Sequence, residues 1–316
     1  MKDYGKTYKS DEEMNLRFTI FKSNYLIAQL QLEKIAKSAE ELNYGITQFM
    51  DLSPQEFAFL FCNLNPAELP NNMDKYYKGD ETQQNSAGFL NDRNLEETAD
   101  TIPESWDWRE HGAVQKVKIQ GVCGACWAFS AVSSIESAYF LKYGKLLNLS
   151  EQQMVDCDTS NSGCLGGIIA NAIDYSRLSG GLVTAANYPY LGYQNYCTYN
   201  SDSVAVKVKG FQMAGTLDEE VIKEMLYKKG PLAITINANL LQFYIGGIID
   251  IPYDSCPYAP THGVNIVGYG VSPLGLKYWI CRNTWGEYWG EGGYFRIARG
   301  RGLCGVNGYV IRAIVE

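Results

Sequence analysis

Cys126 opens a helical pattern, with Cys123 three residues before it and Gln120 six residues before it. Apolar residues then recur at helical spacing, and serines lie off that stripe (Ala128, Val132, Ile135 and Tyr139; Ser130, Ser134 and Ser137). A thiol is a good nucleophile only as its thiolate, and the amino end of a helix favours that anion. The segment therefore predicts an amphipathic helix that presents a nucleophilic cysteine at its start.

A nucleophilic thiol needs a base, and the chain contains only two histidines. His111 lies in the polar, turn-like stretch 109–112, which favours a solvated loop histidine. His262 lies 136 positions after Cys126 and opens an apolar, strand-like run, and Asn283 lies 157 positions after Cys126. A thiol, an imidazole and an amide oxygen can form a catalytic unit in which Asn283 orients the base His262.

Four segments resemble, in the right order, those of papain-like cysteine proteases, and within that family cathepsin F and the L-like cathepsins. They are the cysteine segment, the glycine-rich wall, the histidine segment and the asparagine segment (123–129, 163–167, 261–270 and 283–291). Leu165 stands in the wall where asparagine is commoner in the family. The resemblance covers almost the whole chain.

The resemblance implies an α+β, papain-like fold of two lobes with the active site in the cleft between them. A helical lobe would carry Cys126, and a β-barrel lobe would carry His262 and Asn283. Short apolar runs support the second lobe, since six of them read as strands (204–208, 232–236, 264–269, 278–281, 294–297 and 309–315).

The same resemblance assigns further site roles. The Gln120 amide and the Cys126 main-chain N–H would stabilise the oxyanion, and Trp285 would shield the His262–Asn283 bond and line the substrate site. Glycines without side chains, Gly166 and Gly167, would let a substrate strand approach. An apolar pocket for the residue two before the scissile bond would be formed by Ile168, Ile169, Thr235, Gly263 and Tyr309. No metal and no cofactor are expected.

The first hundred residues differ from the rest in charge. They contain 10 Lys and Arg against 17 Asp and Glu, whereas the remainder contributes only −1 to the total of −8. This acidity argues against nucleic-acid binding. Ser10 and Glu13 predict a capping box, followed by an apolar stripe at helical spacing (Phe21, Tyr25, Ala28, Leu32 and Ile35).

This region resembles the inhibitory propeptide of the papain family through Glu13, Arg17, Phe21 and Asn24 and through the segment 45–52. The expected division is a propeptide domain at 1–62, an extended tether at 63–100, and a mature peptidase at 101–316. Release would require cleavage near Thr101. No secretory signal precedes the propeptide pattern, so the sequence is expected to begin inside a propeptide.

Nine cysteines are present. The resemblance pairs Cys123 with Cys164, Cys157 with Cys197, and Cys256 with Cys304, and leaves Cys281 as a buried, inert thiol and Cys62 unassigned. Three bridges imply an oxidising compartment, and the expected location is lysosomal, endosomal or secreted. Asn148 begins a glycosylation sequon, Asn148-Leu149-Ser150.

The expected partners are protein and peptide substrates, the chain's own propeptide and cystatin-like inhibitors, with no nucleic acid, no membrane and a monomeric state. Two alternatives stay open. Cys123-Gly124-Ala125-Cys126 is also the Cys-x-x-Cys unit of thiol–disulfide oxidoreductases, and a catalytically silent homologue could serve as a binding module. A Cys123–Cys126 bridge would favour the redox alternative, and a Cys123–Cys164 bridge would remove it.

Overall fold

The computed structural model describes residues 4–35, 42–62, 64, 101–256 and 258–316. The amino-terminal region contributes three elements, α1 (Asp11–Ile35), β1 (Asn43–Tyr44) and α2 (Pro54–Phe61). The Ser10 hydroxyl accepts the Glu13 N–H at the start of α1, but the Glu13 carboxylate accepts the N–H of Lys9 instead of closing the predicted box. A complete capping box, Ser53 with Glu56, begins α2.

The buried face of α1 differs from the predicted stripe. Tyr25 is exposed, whereas Asn24 is buried and its side-chain amide donates to the main-chain oxygens of Met50 and Leu52. A polar residue can take a core position here because it satisfies two main-chain acceptors. The predicted stripe positions 32 and 35 lie outside the described side chains.

The helical lobe contains α3 (Cys126–Tyr143), α4 (Glu151–Cys157), α5 (Ile169–Leu178), β3 (Leu182–Val183) and β4 (Val204–Val206). The helix predicted from Cys126 onward is confirmed, but its first three turns are not amphipathic, because every residue from Cys126 to Ser137 is buried. Two of the buried serine hydroxyls have partners: Ser137 donates to the main-chain oxygen of Ala113, and Ser134 accepts from the Ala313 N–H. This helix lies between two apolar clusters and has no solvent face in its first three turns.

The sheet lobe contains one further helix and most of the strands. They are β2 (Trp106–Asp107), β5 (Val208–Gly215), α6 (Glu219–Lys229), β6 (Leu232–Ile236), β7 (Tyr244–Gly246), β8 (Ile248–Ile249), β9 (His262–Val271), β10 (Lys277–Arg282), β11 (Tyr294–Ala298) and β12 (Tyr309–Val315). Eight strands form the main sheet in the order β5-β12-β6-β9-β10-β11-β8, with β2 added on β9.

The predicted α+β class with two lobes is confirmed, but a closed barrel is not. Among the described residues no strand ladder joins β5 to β8, the two ends of the sheet. The sheet positions the site through one antiparallel pair: β9 starts at His262, and β10 ends one residue before Asn283, with Arg282 opposite Asn265. The start of a strand and the end of its antiparallel neighbour lie at the same sheet edge, which brings these two side chains together.

Candidate active site

The amino end of α3 is attached to the glycine-rich wall. Cys123 forms a disulfide with Cys164, and the Gly124 N–H donates to the main-chain oxygen of Cys164 at 2.9 Å. The Trp127 indole N–H donates to Gly163 at 3.1 Å. These contacts leave Cys126 at the first helical position as an unpaired thiol, so the Cys-x-x-Cys unit is not bridged.

The imidazole of His262 makes one hydrogen bond through its Nε2 and stacks with one face on an aromatic ring. Its Nε2 lies 2.8 Å from the side-chain oxygen of Asn283, and its ring stacks on Trp285 with a centroid separation of 4.8 Å. Because the amide oxygen can only accept, this contact puts the proton on Nε2. Nδ1 of His262 is buried and has no hydrogen-bond partner in the described part of the chain.

Gly263 joins the histidine strand to the cysteine helix. A Cβ built at this position would lie 3.2 Å from the main-chain oxygen of Cys126 and 3.0 Å from the Ser130 hydroxyl, so the approach needs a glycine. The Gly263 N–H is directed at the Cys126 sulfur, where it helps to lower the thiol pKa. The structure thus brings Cys126 next to the strand that begins with His262.

Gln120 is fully buried beside these groups. Its main-chain N–H donates to Thr284 at 2.9 Å, and its side-chain amide donates to Cys123 at 3.1 Å. The Thr284 hydroxyl donates to the side-chain oxygen of Gln120, which orients the amide so that its NH₂ group faces the cysteine segment. Sequence reasoning missed Thr284, although its place directly after Asn283 was a usable signal.

Burial disfavours both ionised forms of the reactive pair. It raises the pKa of Cys126 to about 11, although the N–H groups of Gly263, Trp127 and Cys126 itself act in the opposite direction. It also lowers the pKa of His262 to about 4, against the hydrogen bond to Asn283. With the cleft covered, these two shifts favour a protonated thiol and a neutral imidazole.

The wall and the predicted pocket adjoin this pair. Gly166 has φ +120°, which favours glycine, and a Cβ at Gly167 would lie 2.7 Å from Trp127 and Asn161, so packing requires a glycine there. Ile168 and Ile169 are buried in an apolar cluster that also contains Leu64 of the propeptide region, with Tyr309 packed against it. Thr235 and Gly263 pair with each other across β6 and β9.

The propeptide covers the cleft with aromatic side chains. The rings of Phe49, Phe57 and Phe61 lie edge-on to Trp285, with centroids 5.2, 5.3 and 6.3 Å away. The Gln48 amide donates to the main-chain oxygen of Trp285 at 3.1 Å. These contacts remove water from the site and account for the burial of His262.

The other sequence candidates lie away from the pair. The disulfides Cys157–Cys197 and Cys256–Cys304 are present. Cys281 is buried in β10, where burial raises the pKa of its thiol. Asn148 is exposed, and His111 is exposed but stacks on Trp106 at 3.9 Å. Most of the predicted tether, 63–100, lies outside the described residues.

A cysteine at a helix start, an oriented imidazole beside it and an amino-terminal region over the cleft define a cysteine protease precursor with an inhibitory propeptide. The model of the papain family cysteine proteases matches residues 102–314, and that of the cathepsin propeptide inhibitor domain matches residues 1–57. The chain belongs to the papain family.

Its relatives are proteases of the same kind. Cysteine proteinase 15A of Pisum sativum is 41% identical over 328 residues, which cover 97% of this chain and 82% of that protein. Cathepsin F of Mus musculus is 37% identical over 317 residues, which cover 100% of this chain and 64% of that protein. The solved structure of the digestive procathepsin L2 proteinase from Tenebrio molitor larval midgut matches with a TM-score of 0.86 and 32% identity, over 99% of this chain and 96% of that chain.

Proposed function

We propose that Cys126 attacks the scissile peptide carbonyl, with His262 as the base and Asn283 as the group that orients it. The hydrogen bond from Nε2 of His262 to the Asn283 oxygen carries this proposal, because it fixes the tautomer and leaves Nδ1 to take a proton. Trp285, stacked on the imidazole, keeps water from that bond.

The reaction then has two halves. Attack forms a C–S bond and an oxyanion, which the Gln120 side-chain amide and the Cys126 N–H stabilise. His262 returns its proton to the leaving amine, so the C–N bond breaks and a thioester remains. His262 next accepts a proton from water, whose oxygen displaces Cys126 and releases the carboxylic acid.

The covered state holds the pair inactive in two ways. The propeptide occupies the cleft, and it removes the water that would solvate a thiolate and an imidazolium. Its departure re-solvates both groups and lets the proton move from Cys126 to His262. Release follows cleavage near Thr101, which separates the propeptide domain (1–62) and tether (63–100) from the mature peptidase (101–316).

The pocket formed by Ile168, Ile169, Thr235, Gly263 and Tyr309 selects a bulky apolar side chain two residues before the scissile bond. The presence of Leu64 in the same apolar cluster supports this preference. Substrate main chain would bond to the edge at Gly166 and Gly167. Peptides with Leu or Phe at that position should be cleaved faster than matched peptides with Asp, and equal rates would refute the assignment.

Papain-family proteases are commonly lysosomal or secreted, and no helix in the described ranges is long and apolar enough to cross a bilayer. We propose an endosomal, lysosomal or secreted location, because three disulfides require an oxidising folding compartment. We further propose a monomer that is inhibited by cystatin-like proteins and glycosylated at the exposed Asn148. Size-exclusion chromatography tests the monomeric state, and glycosidase treatment tests the glycosylation.

An epoxysuccinyl thiol-protease inhibitor tests the central assignment. After acid processing, the inhibitor should label one residue, Cys126, and peptide mapping should find Cys281 unmodified. The Cys126→Ala protein is the control and should take up no label. Labelling of Cys281, or persistent labelling of the Cys126→Ala protein, would contradict the assignment of Cys126 as the nucleophile.

A further inference from the structure

Two unpaired cysteines lie at the covered cleft. Cys62, Cys126 and Cys281 are the cysteines outside disulfides among the described residues, and all three are buried. Cys281 lies in β10, within the sheet lobe. Cys62 belongs to the propeptide and ends α2, so a second thiol accompanies the nucleophile into the protected site.

The neighbours of Cys62 fix its position over the catalytic histidine. Before it, the Phe61 ring lies edge-on to Trp285, which itself stacks on His262. After it, the Leu64 N–H donates to the main-chain oxygen of Thr261 at 3.0 Å. Cys62 is therefore held between contacts made on either side of His262.

The sulfur atoms of the two cysteines are held by residues that flank that histidine. The Thr261 hydroxyl hydrogen-bonds the Cys62 thiol, while the Gly263 N–H points at the Cys126 thiol. Burial raises the pKa of Cys62, and Cys126 raises it further through a direct electrostatic interaction. The unpartnered, buried Nδ1 of His262 lies at the same place and can accept a thiol proton.

We propose that Cys62 and Cys126 form a reversible disulfide in the precursor, which holds the propeptide covalently over the cleft until a reductant cleaves it. Cys62 directly follows the last residue of α2, with φ −127° and ψ 46°. A bridge requires the two Cα atoms to come within about 7 Å. Activation would then require reduction as well as acid.

A low-molecular-weight disulfide such as glutathione disulfide is the oxidant. The small fraction of Cys126 that is ionised attacks one glutathione sulfur as its thiolate and releases the other as a thiolate, which takes up the proton that Cys126 lost. The Cys62 thiolate then attacks the Cys126 sulfur, forms the bridge and expels the second glutathione thiolate, which is protonated in turn. Two protein thiols are oxidised and one disulfide is reduced to two thiols.

A cavity lies beside the segment that carries Cys62. This cavity of about 640 Å³ lies between the propeptide and the cleft, and its lining includes Phe61, Gly121 and Trp285. Phe61 directly precedes Cys62, so the cavity borders the segment that carries this thiol. The three disulfides of the peptidase body indicate that the chain folds where thiol oxidants act.

Disulfide mapping of the precursor tests the proposal. Unprocessed wild-type protein is incubated with glutathione disulfide at neutral pH, alkylated and digested without reduction. We expect a peptide pair joined through Cys62 and Cys126, which disappears after dithiothreitol. The Cys281→Ser precursor should give the same pair, and the Cys62→Ser precursor should give none. Mixed disulfides with glutathione alone, or unmodified thiols, would overturn the proposal.

A gel assay gives a readout that does not depend on catalysis. A second protease is used to cut the oxidised precursor within residues 63–100, and the products are separated with and without reductant. The propeptide should migrate with the peptidase body only on the non-reducing gel. Separation of the two pieces without reductant would contradict the bridge, whatever activity the released enzyme shows.

Discussion

The contact between the two lobes and the contact between the propeptide and the sheet lobe use different interactions. Between the lobes, the first three turns of α3 are buried, and the charged side chain of Arg282 in β10 donates to the Ser133 hydroxyl of α3 at 2.8 Å. The propeptide instead bonds to neutral main-chain groups: Thr47 donates to Gln242 at 2.6 Å, and the Gln242 amide donates to Leu52 at 2.9 Å. Neutral acceptors do not titrate, so these propeptide contacts are insensitive to mild acid.

The charged groups of the propeptide lie within it. Lys6 pairs with Asp51 at 3.0 Å, and Arg17 pairs with Glu56 at 2.8 Å while also donating to the main-chain oxygen of Asp51. For the described residues, acid therefore acts on ion pairs inside the propeptide and not on these contacts with the peptidase body.

The largest effect on peptide hydrolysis should come from removing the sulfur atom of Cys126. Cys126→Ala should reduce hydrolysis of a fluorogenic peptide by roughly 10⁵–10⁶-fold, because no nucleophile remains. The fold should persist, since alanine fits a helix start. Near-normal turnover by this variant would disprove the role of Cys126, and Cys281→Ser serves as the matched control with unchanged kcat.

The next largest effect should come from the aromatic cover of the cleft, the rings of Phe49, Phe57 and Phe61 that lie against Trp285. Phe49 is buried, and its ring lies 4.6 Å from Phe61 and 5.2 Å from Trp285. Phe49→Ala should destabilise the propeptide by about 3–5 kcal/mol, so that the precursor processes itself at neutral pH more than about 10²-fold faster. Time courses of the precursor band on gels measure this.

Phe18→Ala is the control for the aromatic cover. Phe18 is 51% exposed on α1, so its removal leaves no cavity over the active site. Processing rates of this variant should equal those of wild type. If both variants accelerate processing equally, general loss of propeptide stability explains the effect and the aromatic cover does not.

The oxyanion donor Gln120 should contribute less to the rate of peptide hydrolysis than the nucleophile Cys126. Gln120→Ala should lower kcat of the mature enzyme by about 10²–10³-fold with little change in KM, because the lost hydrogen bond acts mainly in the transition state. Steady-state kinetics check this split. The control is Gln115→Ala, at a half-exposed position five residues earlier, which should leave kcat and KM unchanged. If Gln120→Ala changed only KM, Gln120 would position the substrate and would not stabilise the oxyanion.

Sequence reasoning correctly predicted features that are set by residue type and by position along the chain. The strands at 232–236 and 309–315 have the predicted bounds, because their apolar runs end at clear turns. The family resemblance brought His262 and Asn283 together, and the β9–β10 register explains how the chain does so. The helix at Glu219–Lys229 was missed, although its cap residue, Asp218, could have been read from the sequence.

Other features depend on contacts that periodicity cannot reveal. The serines of α3 look like a solvent face but are buried, because the helix packs against both lobes. Asn24 looks like a surface residue beside Tyr25, yet it is the one that is buried, through bonds to a loop 26 and 28 positions away. The position of Cys62 beside Thr261 depends on the path of the propeptide across the cleft, which no local pattern encodes.

The smallest expected effect tests the acid sensitivity of the propeptide fold. Burial alone would raise the pKa of Glu56, but hydrogen bonds from the Ser53 N–H, Arg17 and the Ser53 hydroxyl outweigh it, so the pKa is lowered. Glu56 therefore stabilises the propeptide above about pH 4.5, and this contribution is lost as the pH falls through its lowered pKa. Glu56→Gln should remove this contribution.

For this partly exposed ion pair, we expect a loss of about 1 kcal/mol, or about fivefold faster processing near pH 6. The difference from wild type should shrink as the pH falls below about 4.5, because the stabilising charge of wild-type Glu56 is lost as the pH falls through its lowered pKa. Glu224→Gln removes a comparable exposed ion pair, with Lys228 at 2.7 Å, from the peptidase body and should leave processing unchanged. If the Glu56 effect were the same at every pH, acid would have to open the propeptide through groups other than this carboxylate.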